Sequence, residues 1–166
     1  MSKFQEICAA YKDSQDSFIA YRTKSTDFAI GLGNRYIKYL GITKENFRWV
    51  PATDTSTERD GITIPGAMHL DDDTYWHLGM RIKIFSALNV FPQQSLLIIF
   101  KFKQKDKDTF EVMVDGDDKR CVIDTSSDAS YTVFFDHLQK IIMGLYEDDL
   151  ANFLASQQET RTIGFI

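Results

Sequence analysis

The first forty residues carry apolar side chains at helical spacing. In residues 3–40 one set of positions recurs every seven residues, and a second set follows three or four residues away. These sets are Phe4, Tyr11, Phe18, Ser25, Leu32 and Tyr39, and Cys8, Tyr21, Phe28 and Tyr36. The pattern predicts either one helix of about 37 residues or two helices joined near Ser25, where Ser25 and Thr26 weaken the helix. Gly41 is the expected C-terminal cap.

An apolar stripe of this length along a helix of a small domain has two common roles. It packs against the domain's own sheet, or it pairs with the same helix of a second copy. Core packing is the more common use, so the sequence favours it. A homodimer through the N-terminal helix is the alternative.

After Gly41 apolar and polar residues alternate, which is the period of a β-strand. Strands are predicted at residues 47–52, 61–64, 75–85, 95–105, 109–114 and 120–124. The turn residues Asp60-Gly61 and Asp115-Gly116 favour short antiparallel hairpins over crossover helices. Helical spacing returns at residues 130–155, with Ser130 as the expected N-cap. Residues 161–166 are expected to form a short terminal strand or a tail.

These elements predict an α+β fold. Its antiparallel sheet has five or six strands and is flanked by a long N-terminal helix, continuous or kinked, and a C-terminal helix. Both helices are expected to cover one face of the sheet. A length of 166 residues favours a single domain, residues 1–166, with a helical part at 1–41 and the sheet at 47–124.

The charge balance narrows the range of partners. The chain has 19 basic and 24 acidic residues and a net charge of −5, which argues against wholesale binding to nucleic acid or to an anionic membrane. Cys8 and Cys121 fit no zinc-binding spacing and are too few for a disulfide framework. Without a signal peptide core or a membrane span in the sequence, we expect a cytoplasmic protein with no membrane partner.

Lysines occupy alternate positions of the strand predicted at residues 95–105. Alternate residues of a strand face opposite sides, so Lys101, Lys103 and Lys105 share one face. Arg81 and Lys83 join them if the preceding strand pairs with this one. Such a face is either a solvated surface that discourages sheet edges from associating, or a docking site for an anion. The anion would be a phosphate backbone, a nucleotide or an acidic protein.

Acidic residues are clustered as well. The two clusters are Asp71, Asp72 and Asp73, ahead of a predicted strand, and Asp115, Asp117 and Asp118, at a hairpin tip. Clusters of this kind usually serve solubility. They would also suit a basic partner, because electrostatic attraction speeds association.

The sequence patterns contain no catalytic motif. His69, Asp71, Asp73 and His77 lie close together, but the segment HLDDDTYWH has no metal-loop spacing. A polar turn that leads into a strand is the favoured interpretation. The sequence therefore predicts no metal ligands, no cofactor and no catalytic residues. The segment GLGN at residues 31–34 lies within a helical pattern, so it indicates a kink or close packing, and not a dinucleotide loop.

Together these observations predict a non-catalytic binding or regulatory module, of the inhibitor or immunity type, that recognises another macromolecule through charged surface patches. Another protein is the expected partner, and nucleic acid at the lysine strand is a further option. The alternative is a small metal-dependent hydrolase or nuclease that uses Asp and His groups near residues 69–77.

Overall fold

The computed structural model describes residues 2–53, 62–87, 90 and 93–147, and the backbone of residues 160–163. The chain begins with a long helix and continues into a sheet, which a second helix follows. The elements are α1 (Lys3–Leu40), a 3-10 turn (Lys44–Asn46), β1 (Phe47–Val50), α2 (Ile64–Ala67), β2 (His69–Leu70), β3 (Trp76–Phe85), β4 (Gln93–Gln104), β5 (Thr109–Val114), β6 (Cys121–Asp124), α3 (Asp128–Glu147) and β7 (Thr160–Ile163).

The seven described strands form one sheet. Its main order is β1-β3-β4-β5-β6, with antiparallel neighbours, and β2 also pairs with β3. β7 lies parallel to β4, beside residues 95–98. Long helices before and after a largely antiparallel sheet confirm the predicted α+β class.

α1 is one continuous helix of 38 residues that passes through Ser25 without a break. At its start, the Ser2 hydroxyl accepts a hydrogen bond from the Gln5 amide, and the Gln5 side chain accepts one from the Ser2 amide. Two backbone donors that the helix leaves unpaired are satisfied in this way. At its end, Gly41 caps the helix as predicted, with a φ of 66° that glycine adopts without a steric penalty.

Gly33 in the GLGN segment serves close packing. A Cβ atom at this position would lie 2.8 Å from Cδ1 of Ile64 and 2.9 Å from Cζ2 of Trp49. The absence of a side chain therefore allows β1 and α2 to approach the surface of α1.

The main core lies between one face of the sheet and the two long helices. Phe28 of α1 stacks on Phe110 of β5 with ring centroids 4.0 Å apart. Phe134 of α3 packs near Phe100 of β4, with centroids 6.2 Å apart. Phe110 and Phe100 point to the same face of the sheet. α1 and α3 therefore cover one face, as predicted.

The opposite face of the sheet is partly buried. Val50, Ala52, Leu97 and Ile99 form a second, smaller apolar cluster there. Val50 and Pro51 lie close to β3 here, where Gly79 stands opposite Val50. Apolar residues therefore occupy the middle of the face on which the predicted basic residues lie.

The strand predicted at residues 61–64 is wrong in the part that the structure describes. Ile62 makes an isolated bridge with Trp49, and α2 begins at Ile64. The Thr63 hydroxyl accepts the Gly66 amide at 3.3 Å. Pro65 suits the first turn of a helix, since the amide that it lacks has no partner there. A helix cap and a proline outweigh the weak strand pattern of this segment.

The C-terminal elements are confirmed with shifted bounds. α3 begins at Asp128, so Ser130 is not its N-cap, and the Ser130 hydroxyl instead donates to the Ser127 carbonyl at 2.7 Å. The predicted end of this helix, residues 148–155, lies outside the described residues. β7 forms the last strand at residues 160–163, and residues 164–166 again lie outside the description.

Candidate functional site

The first half of α1 is not packed against the sheet. Every residue from 2 to 20 is solvent-exposed, and the first buried residue of the helix is Ser25. We call residues 3–20 the arm. At 1.5 Å per residue it is about 27 Å long. The arm is therefore a helix whose surface is free for contacts.

One side of the arm is apolar. The arm stripe consists of Phe4, Ile7, Tyr11, Phe18 and Ile19. Between 51% and 73% of the surface of each of these residues is exposed. At 100° per residue they fall within an arc of about 120°. Farther along α1 the same side of the helix carries the buried residues Ala29 and Tyr36. The core-packing side of α1 thus continues onto the arm, where the chain offers nothing to cover it in the part that the structure describes.

A second candidate site lies at the turn between β2 and β3. In the antiparallel register His69 is opposite His77, and their ring centroids are 5.2 Å apart. Oδ2 of Asp71 lies 3.9 Å from Nε2 of His69 and 3.8 Å from Nε2 of His77. We call these three residues the His–Asp cluster. Each of them offers a ligand atom within 4.8 Å of the other two.

The turn that carries Asp71 is tightly held. The backbone amide of Asp71 donates to the Tyr75 carbonyl at 3.1 Å, and the backbone carbonyl of Asp71 accepts a hydrogen bond from the Thr74 amide at 3.0 Å. Thr74 has a φ of 70°, which is disfavoured for a β-branched residue. Lys103 donates to the Thr74 hydroxyl at 2.9 Å. These contacts fix the backbone at Asp71 relative to the two histidines.

Asp73 joins this turn to the lysine strand. Its carboxylate accepts hydrogen bonds from Nζ of Lys101 at 2.8 Å and from the Tyr75 amide at 3.0 Å. It also lies 2.9 Å from Nε2 of His77. Burial by itself would raise the pKa of Asp73, but these hydrogen bonds outweigh it and lower the pKa to about 2. Asp73 is therefore a carboxylate at neutral pH.

Four of the five basic residues predicted to bind an anion share one face of β3 and β4, and Lys105 follows directly after β4. The five residues form two groups. Arg81 is opposite Leu97 in the strand register, four residues before Lys101, and Lys83 lies two residues farther away. The buried side chains of Leu97 and Ile99 separate this group from the other. The second group consists of Lys101, Lys103 and Lys105.

Three of the five basic residues are engaged within the chain. Arg81 is buried and donates to the Ser95 hydroxyl at 3.3 Å. Lys101 pairs with Asp73, and Lys103 binds Thr74, as described above. The other two, Lys83 and Lys105, are exposed. Binding of an anion by this set stays a prediction.

The predicted acidic residues are also distributed over two turns. Asp71 and Asp73 contact His77 and Lys101, so this acidic cluster lies beside part of the basic one. In the β5–β6 turn, Asp117 lies 2.5 Å from Nε2 of His137 in α3. The remaining members are Asp72 and Asp118, which are exposed, and Asp115, which is partly exposed. Recognition of a basic partner by these residues stays a prediction.

Sequence patterns alone missed the convergence of the His–Asp cluster. β2 has only two residues, which is too short to show an alternating pattern. The available signal was spacing, because five polar or aromatic residues separate Leu70 from Trp76 and could close a hairpin turn. Such a turn would place the flanking histidines opposite each other.

Comparisons with known proteins give no relative. No family model matches the chain, and neither a curated protein nor a solved structure is significantly similar to it. Within the described ranges, none of the helices combines the length and the apolar character that crossing a bilayer requires.

Proposed function

We propose that this protein is a non-catalytic binding module that recognises another macromolecule through its arm, and that this macromolecule is a second copy of the chain. The observation that carries the proposal is the exposed arm stripe. Contiguous exposed apolar residues usually mark interaction surfaces. Most helical stability in proteins comes from packing of an apolar face, so a partner along the stripe would stabilise the arm.

The size of the arm stripe suits a dimer. Ten large apolar side chains, five from each of two arms, would remove roughly 1,000 Å² of surface from water, which is near the lower limit for a specific interface. Phe4, Tyr11 and Phe18 recur every seven residues, which is the repeat of helices that pair with each other.

The charges of the arm also favour a second copy. Two basic and three acidic residues give the arm a net charge of −1, compared with −5 for the whole chain. These residues are Lys3 and Lys12, and Glu6, Asp13 and Asp16. Two arms can therefore approach each other with little net repulsion.

The mass of the chain in solution tests this proposal. We expect light scattering at micromolar concentrations to give twice the 19.1 kDa of one chain. The dimer should persist at about 1 M NaCl, where the Debye length falls to about 3 Å, because apolar contacts are not screened by salt. Dissociation by salt would instead point to the charged clusters, and a monomer at every concentration would contradict the proposal.

A further inference from the structure

We infer that the His–Asp cluster is a binding site for a divalent transition-metal ion, with zinc as the best-matched ion. Nε2 of His69, Nε2 of His77 and Oδ2 of Asp71 are the ligands. Dimerisation of the arm does not depend on this site, so the two proposals can be tested separately.

The distances within the cluster are close to those between ligands of one ion. Zinc lies about 2.0–2.2 Å from nitrogen and oxygen ligands, so two ligands at the tetrahedral angle are about 3.4 Å apart. The Asp71 oxygen is 3.9 Å and 3.8 Å from the two imidazole nitrogens. These two separations are about half an ångström too long, and the ligand atoms of the two histidines lie within 4.8 Å of each other. Side-chain shifts of half an ångström up to about 1.4 Å would therefore close the site around an ion. The side chains of His69 and Asp71 are half-exposed, so they can rotate on the fixed backbone to make these shifts.

Hydrogen bonding between Asp71 and the histidines does not explain the arrangement. The two separations exceed the range of a hydrogen bond. The other oxygen of Asp71, Oδ1, accepts the Asp72 amide at 2.7 Å, and this contact leaves Oδ2 directed at both imidazoles. An ion between the three atoms would bind Oδ2 of Asp71 and both imidazole nitrogens at once.

Asp73 completes the surroundings of the ion. Nε2 of His77 must lose its proton in order to bind a metal. Asp73 lies within hydrogen-bond distance of that nitrogen, at 2.9 Å. Metal binding would replace this hydrogen bond, and Asp73 would move outward by about half an ångström to become the fourth ligand. Lys101, 2.8 Å from Asp73, then stays paired with this carboxylate and holds it in place.

The donor set selects the class of ion. Imidazole nitrogen is a good ligand for zinc, nickel and copper, whereas magnesium and calcium prefer oxygen ligands throughout. Two imidazoles with one or two carboxylates match the ligands found in zinc sites.

Calorimetric titration of the untagged full chain with zinc chloride tests the site. Wild type should bind one zinc ion per chain, and its melting temperature should rise with zinc because the ion binds the folded state. His69→Gln and Asp71→Asn each remove one ligand and should weaken binding at least about tenfold. Asp72→Asn removes an exposed charge from the same turn and is the matched control, with affinity expected within about twofold of wild type.

A spectroscopic readout makes the result independent of stability. Cobalt bound to wild type and to Asp72→Asn should give the visible absorption of a low-coordinate Co²⁺ site, and His69→Gln should lose it. Circular dichroism of each variant verifies folding before titration. Absence of zinc binding to wild type would overturn the inference, as would equal affinities of wild type, His69→Gln and Asp71→Asn.

Discussion

Replacement of both Tyr11 and Phe18 by glutamate is expected to convert the dimer into a monomer. Both side chains lie on the arm stripe and are more than half exposed in the single chain, so they would be buried when two arms pair. A buried carboxylate without a partner is costly, and the aromatic contacts are lost as well. We expect the dissociation constant to rise at least about 100-fold, which corresponds to about 2.7 kcal/mol. Sedimentation velocity over a range of concentrations measures this change.

Ala9→Glu is the matched control for the arm. Ala9 is exposed and lies about 140° from Phe4 around the helix, outside the arm stripe. Glutamate has a good helix propensity and would lie outside the interface at this position, so this variant should dimerise like wild type. If the double variant Tyr11→Glu and Phe18→Glu dimerised as tightly as Ala9→Glu, the arm stripe would not be the interface.

Gly79→Ala is expected to destabilise the fold by about 3 kcal/mol, because the added methyl group overpacks the sheet. A Cβ atom at Gly79 would lie 2.6 Å from the carbonyl oxygen of Val50 and 3.2 Å from that of Pro51. These are backbone atoms, so relief of the clash requires β1 and the segment after it to move. Urea denaturation at a fixed protein concentration measures the loss in free energy of unfolding.

Gly31→Ala is the control, because it adds the same methyl group at a position where nothing would clash with it. No heavy atom outside the local helix lies within 4 Å of a Cβ atom at Gly31. Since alanine is favoured over glycine inside a helix, this variant should be more stable than wild type by about 0.5–1 kcal/mol. Equal effects of Gly79→Ala and Gly31→Ala would contradict the close approach of Val50 and Gly79.

The long periodic elements could be predicted from the sequence. α1 has the predicted extent, and the bounds of β5 match residues 109–114. Such elements repeat one burial pattern over several turns or residues, so a single exception does not hide the period. The cap at Gly41 was also predictable, because few residues other than glycine adopt its backbone conformation at low cost.

Short elements and long-range contacts could not be predicted in the same way. β2 contains two residues and α2 contains four, which is too few for a period to appear. The pairing of Asp73 with Lys101 depends on the register between β3 and β4, and a strand pattern does not specify its register with a neighbour. For the same reason, the sequence could not show which basic residues are neutralised inside the chain.

The apolar stripe of α1 shows a more basic limit of prediction from periodicity. Its period is the same over the arm and over the packed half of α1, although Phe4 is exposed and Phe28 is buried. Periodicity identifies the apolar side of a helix, but it does not say what covers that side. Burial in the structure shows that core packing begins near Ser25.

Hydrogen exchange of the arm amides, followed over protein concentration, tests self-association most directly. In the dimer, the arm amides should be protected, and dilution below the dissociation constant should accelerate their exchange, because an unsupported helix frays. Amides of α1 around Phe28, which is buried in the core, provide the internal reference and should remain protected at every concentration, including those at which the arm amides exchange rapidly. Arm amides that exchange at one rate, independent of concentration, would contradict a dimer formed through the arm stripe.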